Sequence, residues 1–218
     1  MTAWVELAAA FAAFTGSHAL PARPALRRRL TDLLGTRLYL LLYSAISLLL
    51  LWWLIAAAGR APYVPLWEPA AWQVHTVMLA MAAACILVAL AVGRPNPFSF
   101  GGGDPARFDP QRPGIVGLTR HPILLAAALW AGAHLLANGD LAHVLLFGAF
   151  LGMALTGMAA LDRRARSRHG GDRPKLAALR GPTLLPGDAL RLALAALLFA
   201  ALLLLHPAVI GVDPLAAF

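Results

Sequence analysis

The sequence predicts an all-α protein, a polytopic bundle of about six transmembrane helices. Three observations predict it. Of the 218 residues, 60% are hydrophobic and only 13% are charged, where a soluble domain carries about 25% charged residues. Mean hydropathy is +0.72. Apolar runs near the roughly 18-residue length needed to span a bilayer recur along the chain.

Six segments carry that signal: roughly Ala3–Pro21, Leu33–Ala57, Ala70–Val92, His121–Ala137, Leu141–Leu161 and Leu190–Pro207. Together they define one integral membrane domain over residues 1–218. The first does not read as a cleavable signal, since it lacks a basic leading region and carries Glu6 near its start. Between the segments lie cytoplasmic loops at about 22–32, 93–120 and 162–189. Of the 18 basic residues, all but Arg60 fall in or beside these alternate loops. The positive-inside rule makes those loops cytoplasmic and both termini external. Trp4, Trp52, Trp53, Trp67 and Trp72 fall at the opposite interface, as an aromatic belt does. The chain is therefore expected in the inner membrane of a bacterium as a multi-pass protein.

The net charge of +8 belongs to these loops, where it meets anionic lipid headgroups. No nucleic-acid motif accompanies it, and no nucleic-acid partner is expected. The single cysteine, Cys85, lies within the third segment, so neither an intrachain disulfide nor a cysteine-rich metal site is possible. It reads as a small buried hydrophobe.

In the first loop, ALRRRLTDLLGTRL alternates apolar and basic residues at helical spacing, which suits a helix on the membrane surface. The second, GRPNPFSFGGGDPARFDPQRPG, is too rich in glycine and proline to form one regular element. Its glycines Gly101–Gly103 lack the strand and spacing of a phosphate-binding loop. At Asn138-Gly139-Asp140 a helix end meets the N-cap of the next helix, making segments four and five an antiparallel hairpin. Gly148, Gly152 and Gly157 on segment five suit close helix packing. No internal repeat emerges.

Function is expected to lie with the histidines, because ionisable groups within a membrane mark functional sites. His169 reads as solvated in the third loop, and His143 and His206 as interfacial residues at helix ends. Four remain: His18, His75, His121 and His134. His121 and His134 are thirteen residues apart, about 20 Å along one helix, and cannot share a small ligand. Depth alone pairs His75 with His134 and His18 with His121. Facing imidazoles on membrane helices suit a bis-histidine haem, because neutral imidazole ligates iron well. Other chemistries leave no trace: there is no Ser-His-Asp order, no HExxH and no carboxylate pair. Glu6 is near enough to the external end to stay hydrated. A transporter would need paired broken helices, which are absent from the pattern.

GSHAL at Gly16–Leu20, TRHP at Thr119–Pro122 and LWAGAHLLANGDLAHVLLFGAF at Leu129–Phe150 resemble the NnrU family. These are integral membrane proteins associated with nitrite and nitric oxide reduction in denitrifying bacteria. That family is in turn similar to zeta-carotene isomerase, a haem b membrane enzyme. The resemblance implies haem b, with His18 and His134 as iron ligands and His75 and His121 as alternates. It implies electron transfer, redox sensing, isomerase-like chemistry or support of a membrane-associated reductase. Ala131 stands where the isomerase has the cysteine of its Cys-x-x-His stretch, so that enzyme's switch between thiolate and histidine is not expected. Straight helices would also leave His18 and His134 about 15 Å apart in depth.

A second resemblance rests on Arg120-His121-Pro122, which is similar to the Arg-His-Pro of isoprenylcysteine-type membrane methyltransferases. It implies S-adenosylmethionine held by Arg120 and His121, with Pro122 opening the helix. The Tyr-x-Gly continuation is replaced by Ile123-Leu124-Leu125, and no glutamate follows Asp162 in the third loop. A plainer role for the triplet is that Arg120 meets lipid phosphate, His121 caps and Pro122 starts the helix. A third class is a non-catalytic partner that supports assembly of a reductase.

Overall fold

A computed structural model describes residues 2–19, 23–168 and 181–216. Among them there are helices and turns and no strand. The helices are α1 (Thr2–Ala19), α2 (Pro24–Arg60), α3 (Ala71–Ala91), α4 (Pro122–Ala137), α5 (Leu141–Arg168) and α6 (Asp188–Ile210). Each expected segment is a helix, but the segments are not equivalent. Four of them, in α2, α3, α5 and α6, are long and apolar enough to cross a membrane. α4 has 16 residues and is about 24 Å long, short of a roughly 30 Å hydrocarbon core. α1 is diluted by Glu6 and by its polar end Thr15-Gly16-Ser17-His18.

The described chain forms two compact units, one of Met1–Leu66 with Asp140–Leu146 and one of Trp67–Gly139 with Phe147–Phe218. In the first, α1 packs on α2. Leu7, Ala10 and Phe14 are buried at spacings of three and four, the signature of one helical face. Glu6 accepts hydrogen bonds from Arg60 and from the indole of Trp53. Arg60 is the one basic residue outside the alternate loops, and it has an acidic partner at its own end of the helix pair.

The first loop is helical, as its spacing suggests, and continuous in chain with the span. α2 is broken at Gly35, whose φ of 73° and ψ of 155° are not helical. Side chains rarely accept such a φ, so glycine suits the joint. Before it, Leu26, Leu30 and Leu34 are half-buried at a spacing of four while Arg27, Arg28 and Arg29 are exposed. After it, Leu41, Leu48, Leu49 and Trp52 are at least 65% exposed, an outward apolar face that a bilayer covers.

In the second unit α3 is central and packs on α4 and α6. Ala84, Leu87 and Ala126 form a buried cluster beside Val88, Ile115, Leu125 and Leu129. Small residues let helix backbones approach where lipid gives no hydrophobic drive between helices. Cys85 is buried, as expected. α5 packs on α4 in the same way. A Cβ at Gly157 would lie 3.5 Å from the Leu124 side chain, and one at Gly148 would lie 3.5 Å from Leu135. Gly152, expected to share this role, faces open space. Helix α5 also runs seven residues past Leu161 to Arg168. His169 lies outside the described residues.

The second loop is irregular, as its composition dictates, but it is held closed. Gly93 N donates to Gly101 O at 3.1 Å and Gly103 N donates to Arg94 O at 2.7 Å. Two short 3-10 turns follow at Pro105–Arg107 and Gly114–Gly117. Arg191 of α6 donates to the carbonyls of Ala89 and Val92 at 2.7 and 2.8 Å, so the last carbonyls of α3 meet a cation, which favours a helix C-terminus.

At the other end of α4 the tight turn forms, with one difference. Asp140 caps α5 as expected, accepting from His143 N and pairing with His143 Nδ1 at 2.7 Å. Gly139 is needed for close approach and not for a left-handed backbone. Its φ is not positive, but a Cβ there would lie 2.0 Å from the Trp67 carbonyl oxygen.

Candidate functional sites

His18, His75 and His134 share one local geometry. Each directs Nδ1 at the carbonyl four residues earlier, on Phe14 at 2.8 Å, Ala71 at 2.9 Å and Trp130 at 2.8 Å. A carbonyl oxygen only accepts, so Nδ1 carries the proton and the Nε2 lone pair faces away from the helix. This is the tautomer of a metal-binding histidine with its second nitrogen anchored.

Their surroundings differ. His134 is half-buried, with ring centroids 5.7 Å from Trp130 and 5.1 Å from Phe147. Trp130 also packs on Phe150 at 5.4 Å. His18 packs on Phe14 at 4.4 Å and meets Tyr43 edge-on at 6.0 Å. His75 is exposed. His18 and His134, each within its own unit, thus set an imidazole among aromatic rings. Ala131, where the isomerase-type cysteine would stand, is fully buried and brings no sulfur. His206 likewise anchors Nδ1, on Val212 O at 2.7 Å, as an interfacial residue does. Among the described residues, no three or more histidine, cysteine or acidic side chains form a metal cluster.

His121 is built the other way round. It is buried, and its Nε2 faces Asp162 Oδ1 at 3.0 Å. Arg120 donates to Asp162 Oδ2 at 2.9 Å. One carboxylate thus takes both basic side chains of the Arg-His-Pro triplet. With the proton on Nε2, Nδ1 keeps the lone pair, and that atom is buried with no hydrogen-bond partner. Of the plainer roles expected for the triplet, the side-chain cap at His121 is absent. Arg120 pairs with protein, and His121 occupies the N-cap position. Pro122 does open the helix. Asn96 holds the strand of chain before it, donating to Arg120 O at 3.0 Å. Beside the pair lies a hollow of about 390 Å³ lined in part by Thr119, Arg120, His121, Met158 and Asp162.

Asp162 is the residue that sequence reasoning missed. Its signal was present in the hairpin register. Leu124 lies against Gly157 and Leu135 against Gly148, and one more turn along the same register opposes Arg120 and His121 to Asp162. Asp162→Ala strands the buried Nε2–H of His121 and frees Arg120. The expected loss is about 2 kcal/mol, read as a lower unfolding midpoint in detergent. A midpoint equal to the wild type would show that the pair adds nothing.

Apolar helices of membrane-crossing length, small-residue seams and anchored histidines define an all-helical multi-pass membrane protein. A family model described as NnrU protein matches residues 6–214, and the chain belongs to the NnrU family. No curated protein and no solved structure matches it.

Proposed function

We propose that this NnrU-family chain binds haem b through His134 and His18, with His75 and His121 as alternates, and works in redox chemistry or electron transfer linked to nitrogen-oxide respiration. The observation that carries this reading is the shared geometry of His18 and His134, with Nδ1 anchored on its own helix and Nε2 presented among aromatic rings. His121 lacks it, because Asp162 takes its Nε2, and His75 lacks the burial. Haem supplies a one-electron iron couple. The protein's part is to fix both imidazoles, keep water from the ring faces and neutralise charge near the membrane surface. Without a sulfur at Ala131, redox work is favoured over the isomerase-like alternative. The chain is read as a six-helix bundle in the bacterial inner membrane, with α1 and α4 completing it and both termini external. The Glu6–Arg60 pair supports that orientation by accounting for the one basic residue on the external side.

A visible absorption spectrum of the purified protein, oxidised and then reduced with dithionite, tests the proposal. A Soret band with sharp reduced α and β bands is the expected result. A colourless protein, expressed with ample haem, would overturn it. The hollow beside Arg120 and His121 supports the second reading, an S-adenosylmethionine site. In that case a colourless protein would bind S-adenosylmethionine and lose it on Arg120→Ala. Failure of both would leave the assembly partner of a reductase.

A further inference from the structure

Arg94, Arg107 and Arg112 line one hollow of about 220 Å³ together with Phe108, Ile115 and Leu185. It lies just past the C-terminus of α3 and just before the N-terminus of α6, both of membrane-crossing length. It therefore sits at the level of lipid headgroups, whichever way the chain is oriented.

The three arginines are not equivalent. Arg94 is fixed: it donates to Asp188 Oδ1 at 2.6 Å and to Pro186 O at 2.7 Å. Its Nε is buried without a hydrogen-bond partner. Asp188 is itself held, accepting from Leu185 N at 2.8 Å. Arg107 and Arg112 are exposed and form no side-chain hydrogen bond or ion pair among the described residues. The remaining charge on the wall is Asp109, whose Oδ1 accepts from Gln111 N at 2.9 Å. Among the described residues, with Asp188 given to Arg94 and Asp109 set against two arginines, one positive charge is left over. Like charges gathered on one wall repel unless an anion joins them. Arginine's planar fork suits phosphate oxygens, and the apolar side of the hollow suits the start of an acyl chain. Its size lies below the roughly 300 Å³ at which pockets for larger ligands begin, which favours a headgroup.

We infer that Arg94, Arg107 and Arg112 form a phosphate-binding site at the membrane surface, of the kind that holds an anionic phospholipid. Arg94 is the positioning residue, and Arg107 and Arg112 contact the phosphate oxygens.

The test uses the full chain in a neutral detergent. Binding of dihexanoyl phosphatidylglycerol, dihexanoyl phosphatidylcholine and inorganic phosphate is measured by thermal shift and by native mass spectrometry. Arg107→Gln with Arg112→Gln is compared with a control pair, Arg27→Gln with Arg28→Gln, which removes equal charge from α2. The expected result is phosphatidylglycerol binding that falls at least tenfold in the first double variant and holds in the control. Phosphatidylcholine should bind weakly to all. Inorganic phosphate binding as well as phosphatidylglycerol, with the same loss, would keep the site and assign it to a soluble phosphate. Equal loss in both double variants would overturn the site in favour of diffuse charge attraction. No phosphatidylglycerol or phosphate binding by the wild type would also overturn it.

Discussion

His134→Ala is expected to abolish the haem spectrum. The imidazole would be the atom set that holds iron, and its replacement leaves a half-buried gap between Trp130 and Phe147 with no donor in it. Nothing else on that turn of α4 can bind iron: Ala131, Gly132 and Ala133 precede it and Leu135 follows. The reduced α band should fall to the background of an unloaded membrane protein, with an unchanged elution profile showing that the chain still folds. Imidazole added to His134→Gly should restore part of the band, because the free base fills the space that the side chain leaves. His121→Ala should keep the full spectrum, since its Nε2 belongs to Asp162. His18→Ala should convert a low-spin spectrum to high-spin. A His134→Ala protein with an undiminished α band would remove His134 from the iron and pass the role to an alternate.

Gly139→Ala is expected to cause the largest loss of stability. The added Cβ would lie 2.0 Å from the Trp67 carbonyl oxygen and 3.0 Å from its carbon. Backbone cannot rotate away as a long side chain can, so the connection must shift. Two hydrogen bonds fasten the same place, Trp67 N to Gly139 O at 3.2 Å and Trp67 Nε1 to Leu136 O at 3.0 Å. Moving the turn weakens both. A cost of about 3 kcal/mol follows from overpacking a fixed contact, and the detergent unfolding midpoint should fall by several degrees. A variant that unfolds like the wild type would mean that the loop before α3 is loosely held.

By itself the sequence determined the solvent, the helices and the hairpin. Hydropathy and alternate basic loops are properties of composition and order, and a bilayer acts on them segment by segment. So the six apolar segments are six helices, Asp140 caps α5 and Pro122 opens α4. The register of α4 on α5 was also within reach once the turn at Gly139 was identified.

What the tertiary structure decided is the chemistry of each side chain. The short length of α4 was already set by its bounds in the sequence, from His121 to Ala137, and the observed helix Pro122–Ala137 keeps them. Spacing gave four histidines of equal standing. Only the carbonyl or carboxylate that meets each ring decides which nitrogen keeps a lone pair, and that separated His18 and His134 from His121. Asp162 looked like the start of a charged loop because its role depends on a residue 41 positions away. The gathering of Arg94, Arg107 and Arg112 is likewise invisible in order along the chain. An irregular loop brings such residues together through backbone closures between glycines, and no periodicity encodes that.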